Sequence, residues 1–289
     1  MSAYCATYGI SSAASVARDM LHSFPNIRIG LMVGIGGGAP SPKHDIRLGD
    51  IIVSAPHGEM GGVFQYDFGK TIQDQSFQPT GFLNQLPTVL RTTVSRLKAQ
   101  YEIEGHQLEE AIIGILENKS RLQKKYQRLD PSKDRLYQTG ITHPSNSEAS
   151  CAAVCGDNPS DLIWQHERVE DEDNPAIHYG LIASTNQLMK DASLRDKFAK
   201  GNNVLCFEME VAGLMNQFPC LVIRGMFLAM VFRDMGKCPR LIRRQASATT
   251  PTPIRTRSSK GIQQWWRCIC ERSSLWRLVI PKLLCQGDS

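Results

Sequence analysis

The stretch that most constrains the fold is Ile27 to Ser54, IRIGLMVGIGGGAPSPKHDIRLGDIIVS. A short apolar run from Ile29 to Val33 leads into Gly34, Gly36, Gly37 and Gly38. Pro40, Pro42 and the charged residues Lys43 to Asp45 follow, and a second apolar run covers Asp50 to Val53. This order predicts strand, glycine loop, polar turn, strand. Glycines clustered straight after a buried strand mark a place where backbone comes close to something else, because only glycine lacks the Cβ that would hold it away. A ligand is one such neighbour and a packed strand is the other. The spacing excludes two phosphate-binding loops: prolines replace the helix that would follow GxGxxG, and the Gly-Lys-Ser/Thr ending of a P-loop is absent.

Strand and helix patterns alternate along the rest of the chain. Ser11 to Ser23 reads as an amphipathic helix opened by a serine pair suited to capping, with Ala14, Val16, Met20 and Leu21 on one side. Val63 to Phe68 alternates like a strand buried on one face, and Leu83 to Lys98 has helical spacing at Leu86, Val89, Leu90, Val94 and Leu97. Glu109 to Leu129 predicts a charged surface helix, and Asp130 to Pro175 is irregular apart from Leu162 to Trp164. Regular structure returns with a strand at Ile177 to Ser184, a helix at Met189 to Phe198 with Asp191 near its start, and a strand at Val204 to Phe207. A small-residue helix at Val211 to Met215 and a last strand at Cys220 to Arg224 complete the pattern. Such alternation implies one α/β domain, with a mainly parallel sheet covered on both faces.

Five stretches carry a resemblance: VGIGGG with HDIRLGDIIVS, GGVFQYDFGK (Gly61 to Lys70), IHYGLIAS (Ile177 to Ser184) and CFEMEVAGLM (Cys206 to Met215), in this order between Tyr8 and Gly225. Together they closely resemble the nucleoside phosphorylase and nucleosidase superfamily of the purine and uridine phosphorylase type, in its fungal form. The resemblance implies a three-layer α/β sandwich around a mainly parallel mixed sheet, over residues 1–225. It also implies cleavage of a nucleoside at its N-glycosidic bond by phosphate or water as co-substrate, without a cofactor, and a possible homo-oligomer in which a neighbour completes the pocket. A non-catalytic nucleoside-binding or signalling module is the alternative, because fungal proteins of this kind carry the domain at the head of multidomain receptors.

Cleaving such a bond passes through a cation-like ribose, so carboxylates are needed at the sugar and a donor at the departing base. By resemblance, Glu210 binds the ribose hydroxyls, Met209 lies against the sugar, and Glu208 completes the acidic triplet. The same triplet also fits a helix N-terminus stabilised by acidic residues near its dipole. Ile35, Gly36 and Gly37 match the loop that approaches the nucleoside and phosphate or water. Leu188 and Met189 match the segment that packs on the purine, and both also read as core filler. Phosphorylases of this group tend to place an arginine just before the glycines; Met32 and Val33 stand there, which leans the chemistry toward hydrolysis or leaves the phosphate site elsewhere.

Two family motifs have no match. A glutamate in Ala-Leu-Pro-x-Glu, the general base, would precede the first residue, so the domain is expected to be truncated. After VIRG the family continues as ICDYSDSHKNK, whose first Asp protonates the purine, whereas Met226 opens an unrelated stretch. The genetic code permits one DNA segment, read in two frames a base apart, to encode both SATTPTPIRTR (Ser247 to Arg257) and ICDYSDSHKNK. Residues 226–289 are therefore expected to be an aberrant tail, a retained intron followed by a frameshift, and this sequence is expected to have little or no activity.

That tail explains the charge. From Arg233 onward 12 Lys plus Arg face 3 Asp plus Glu, against 21 and 25 before it, so the net charge of +5 does not imply nucleic acid as a partner. No run approaches the roughly 18 apolar residues that span a bilayer, and no signal-peptide pattern opens the chain. No membrane partner and a cytoplasmic location are expected. Nine cysteines at irregular spacing favour reduced thiols. Cys151 and Cys155 could join His143 or His166 at a zinc ion, but without a second cysteine pair the spacing is not a zinc motif, and no metal is expected.

Overall fold

A computed structural model describes residues 9–117, 119–120, 134–144, 147, 149, 151–169 and 172–226. The first helix, α1 (Ile10–Ser23), is entered from Gly9 at φ 106°. Its serines do not cap it. Ser15 Oγ instead donates back to Ser11 O at 3.0 Å, and Asn186, distant in sequence, accepts from Ile10 N–H at 3.0 Å. The face turned inward centres on Ala13 and Ala17, whose small side chains admit close packing.

The glycine stretch is strand, not loop. β1 (Leu31–Gly38) runs through all four glycines and changes partner on the way, pairing over Leu31–Gly36 in parallel with one strand and at Gly37 and Gly38 antiparallel with another. β2 (Ile51–Ser54) follows the polar turn. β3 (Val63–Gln65) is shorter than expected, since Asp67 turns aside to bind Thr185. A small hairpin joins β4 (Gly69–Lys70) to β5 (Gln78–Pro79).

Helix α2 (Thr88–Glu104) starts five residues later than its periodicity suggested. Pro87 holds the residue before it out of the helical region, and Asn84 is occupied in a two-bond bracket with Asn216, at 2.9 and 3.2 Å. α3 (Leu108–Glu117) follows; its expected continuation over 121–129 lies outside the described residues. The irregular segment contains β6 (Leu136–Tyr137) paired with β7 (Leu162–Ile163), and the single turn α4 (Cys151–Val154) between them.

β8 (Ile177–Ser184) matches its expected span. α5 (Ala192–Asn202) is capped by Asp191, whose side chain accepts from Leu194 N–H at 2.9 Å, an arrangement worth about 1 kcal/mol. β9 (Val204–Glu208), the turn of helix α6 (Ala212–Met215) and β10 (Leu221–Met226) complete the domain. β10 extends past the expected boundary after Gly225: Met226 is buried in the core and donates its N–H to Asp50 O at 2.7 Å. The expected aberrant tail from 227 onward lies outside the described residues.

The central sheet is mixed, in the order β2-β10-β1-β9-β8-β3, and an added β2–β8 pairing closes a ring of five strands. Four pairings are parallel and two antiparallel. Because side chains alternate along a strand, β8 and β9 bury both faces. Ile182 and Leu205 join a cluster with α1, Leu90 and β10, while Leu181, Ala183, Val204 and Phe207 join another with Tyr66, Met189 and Ala199. Among the described residues, no helix is long and apolar enough to cross a membrane.

Candidate functional site

Parallel pairing of β1 with β10 sets Gly34 opposite Arg224. The guanidinium lies where a side chain at position 34 would be: an ideal Cβ there would sit 1.6 Å from an Arg224 terminal nitrogen. Gly36 leaves room in the same way, with Phe207 O 3.2 Å and Arg224 Cβ 3.4 Å from its missing Cβ. The glycines thus let a buried cation lie against β1 and let β9 approach from the other side.

That cation meets two carboxylates at the tip of β9. Arg224 Nη2 donates to Glu208 Oε2 in a very short contact and lies 3.5 Å from Glu210 Oε2. Glu208, with no exposed side chain surface, also accepts Val211 N–H at both oxygens, 3.2 Å each, and Glu210 N–H at 3.1 Å. It therefore holds the start of the helical turn, as an acidic cap does. Ser184 Oγ, at the tip of β8, accepts Ala212 N–H at 3.0 Å, and Glu208 O accepts Thr185 N–H at 3.2 Å. The tips of β8 and β9 are fixed together.

Glu210 differs from Glu208. Its side chain keeps 16% of its surface exposed while Arg224 keeps 3%, and among the described residues its carboxylate accepts one backbone N–H, from Met209 at 3.3 Å. Burial, then repulsion from Glu208, push its pKa up to about 7, with Arg224 pulling the other way. One guanidinium between two carboxylates cannot fully neutralise both. Among the described residues, Arg224 Nε is also buried without a hydrogen-bond partner. The site has a partly exposed carboxylate beside a buried Arg224–Glu208 pair.

No protein-family model matches the chain. Over 218 residues it is 39% identical to a nucleotide-binding leucine-rich repeat (NLR)-like protein of Hyaloscypha variabilis; the match covers 75% of this chain and 20% of that protein, so the chain spans about a fifth of its relative's length. Among solved structures it is similar to a Helicobacter pylori MTAN variant with 5'-methylthioadenosine in the active site, at 13% identity and a TM-score of 0.44, covering 82% of this chain and 71% of the other. A futalosine hydrolase mutant of Helicobacter pylori is similar at 12% identity and a TM-score of 0.42, with the same coverage.

The other sequence-selected residues fall in different settings. Ile35 and Met209 are half-buried, and Gly37 is buried where β1 meets β9. Leu188 is half-buried. Met189 packs inside the cluster of Tyr66, Phe198 and Phe207, the last being the residue before Glu208. Sequence reasoning missed Arg224. It searched for an arginine before the glycines, and the structure brings one against them from a neighbouring strand. A lone charge inside the apolar run CLVIR was the available signal.

A second buried ion centre was also missed. Asp50 is fully buried and accepts Arg168 at 2.7 and 2.6 Å, His178 Nε2 at 3.0 Å, and the N–H groups of Arg47 and Ala176 at 2.9 and 3.0 Å. Against the cost of burial, these donors hold its pKa down at about 2. They also tie the irregular segment around Arg168 to the start of β2. His166 stands apart, 3.3 Å from Glu172, whereas His143 lies beside both Cys151 and Cys155.

Proposed function

We propose that this site holds the ribose of a purine nucleoside and that the chain is a nucleoside phosphorylase or nucleosidase-like domain of three-layer build. The observation that carries the reading is the unequal pair: Glu208 is held by Arg224 and three backbone N–H contacts, while the partly exposed Glu210 accepts a single backbone N–H among the described residues and can take further donors. Two vicinal hydroxyls would supply them. Glu210 is then the ribose acceptor, Glu208 and Arg224 position it, and Met209 lies against the sugar. Gly36 and Gly37 keep the adjoining wall of β1 free of side chains, with Ile35 beside them. Leu188 flanks the base, and Met189 supports it from the core.

Water rather than phosphate is the nucleophile this arrangement favours. The Arg224 guanidinium is already paired with carboxylates, so a phosphate would meet two negative charges beside one positive. Because the sequence after Gly225 does not follow the aspartate-bearing pattern, turnover is weak or absent and binding remains. The relative of which this chain matches 20% is named as an NLR-like protein, and this favours, as a second reading, a nucleoside-sensing module.

Calorimetry with adenosine, inosine and methylthioadenosine, beside an assay for free base, separates these readings. Binding without base release supports the module, base release supports the enzyme, and no heat with any nucleoside sinks both. Binding that relies on Glu210 in its charged form should tighten as pH rises through about 7.

A further inference from the structure

The segment between β6 and β7 holds a cluster that the ribose site does not use. His143 Nδ1 lies 3.5 Å from Cys151 Sγ and 3.6 Å from Cys155 Sγ, and the three ligand atoms are all within 4.8 Å of one another. Zinc bonds of about 2.3 Å to sulfur and 2.0–2.1 Å to nitrogen, at tetrahedral angles, require a sulfur-to-nitrogen separation of about 3.6 Å. Both separations already meet that requirement. On the far side of the imidazole, Nε2 lies 3.3 Å from Ser147 O. A proton on Nε2 directed at that carbonyl leaves the Nδ1 lone pair free for a metal and fixes the ring's orientation.

We infer that His143, Cys151 and Cys155 form a zinc site, with water or an external ligand in the fourth position. Two thiolates and an imidazole suit zinc better than calcium or magnesium, which prefer oxygen. Two thiol protons leave on binding, and the two thiolates balance the dication. Spacing alone did not support this. Cysteines one helical turn apart, in a segment without a second cysteine pair, read as ordinary thiols until the fold brought His143 to them.

The surroundings give the metal something to do. β6 and β7 are two residues each, and the turn containing both cysteines is held by Tyr137 donating to Gly156 O at 3.1 Å and by the Arg135–Asp157 pair. So small a unit has little apolar core, which is the setting in which a metal supplies folding energy. The ion would tie His143 to the turn of Cys151 and Cys155 within this segment, which reaches the rest of the domain through Thr139 and Asp196 on α5.

The test uses the whole 289-residue chain, purified under reducing conditions and loaded with zinc or cobalt(II). One tightly held ion per chain is expected, with the charge-transfer and d–d absorption of tetrahedral cobalt–thiolate. Cys155→Ser and His143→Ala should each weaken retention at least about tenfold, while His166→Ala should retain the ion. Hydrogen exchange should show β6, β7 and the turn of Cys151 and Cys155 losing protection when the metal is chelated, with β1 and β9 unchanged, which separates site loss from global unfolding. Substoichiometric zinc after loading, a cobalt spectrum that survives His143→Ala, or a Cys151–Cys155 disulfide in the reduced preparation would each overturn the proposal.

Discussion

The two buried ion centres differ in their balance of charge. At Asp50 one carboxylate receives a guanidinium, an imidazole and two backbone N–H groups, and its pKa falls to about 2. At Arg224 one guanidinium lies between two carboxylates, and Glu210 rises to about 7. Both centres pair carboxylate with guanidinium beside the same sheet. A centre with enough donors is a structural clamp, whereas a centre with a surplus acceptor at a partly open edge is suited to a ligand.

Three substitutions break or sharpen that contrast. The largest effect is expected from Asp50→Asn, which leaves Arg168 buried against a neutral amide and costs about 3–5 kcal/mol in urea unfolding. Wild-type stability from Asp50 should be present above its usual pKa of 3.8 and disappear as pH falls toward about 2. A change within about 0.5 kcal/mol would mean that the centre is not the clamp described.

Next comes Arg224→Met, which removes the shared cation and strands two carboxylates, at a cost of about 3 kcal/mol. Adding Glu208→Gln should recover part of that loss, and a double-mutant cycle measures the coupling. Strict additivity would separate the two residues energetically and remove the coupled pair from the site.

Glu210→Gln should have the smallest effect on stability and the opposite sign. The folded protein holds a proton on Glu210 that the unfolded chain loses above the usual value of 4.5, so wild-type stability falls as pH rises from there to about 7. The variant should match wild type near pH 4 and exceed it by about 1–2 kcal/mol above pH 7, a range set below the full shift because part of the Glu210 side chain is exposed to solvent. The same variant should bind nucleoside more weakly. Stabilisation together with lost binding is the signature of a residue kept for a ligand rather than for the fold.

Much of the architecture was legible along the chain. β8, and a helix beginning near Asp191, emerged from local apolar runs and turn residues, because alternation is a near-neighbour effect, although α5 starts at Ala192 rather than at Met189. Element starts were less legible. Pro87 and the Asn84–Asn216 bracket moved the start of α2, and Asn186 replaced the expected serine cap of α1. In the candidate site, the acidic triplet and the glycines could be selected, but neither the division of labour between Glu208 and Glu210 nor the presence of Arg224 could.

The sequence by itself determined where β2, β8 and β9 run, where glycine is demanded, and that carboxylates cluster after Phe207, since each follows from residues a few positions apart. Only the tertiary structure decided what the glycines accommodate, which carboxylate is held by more donors, and that His143 faces two thiols. Those depend on strand register and chain crossing, through which residues far apart in the chain come to share one desolvated space where charge has to balance.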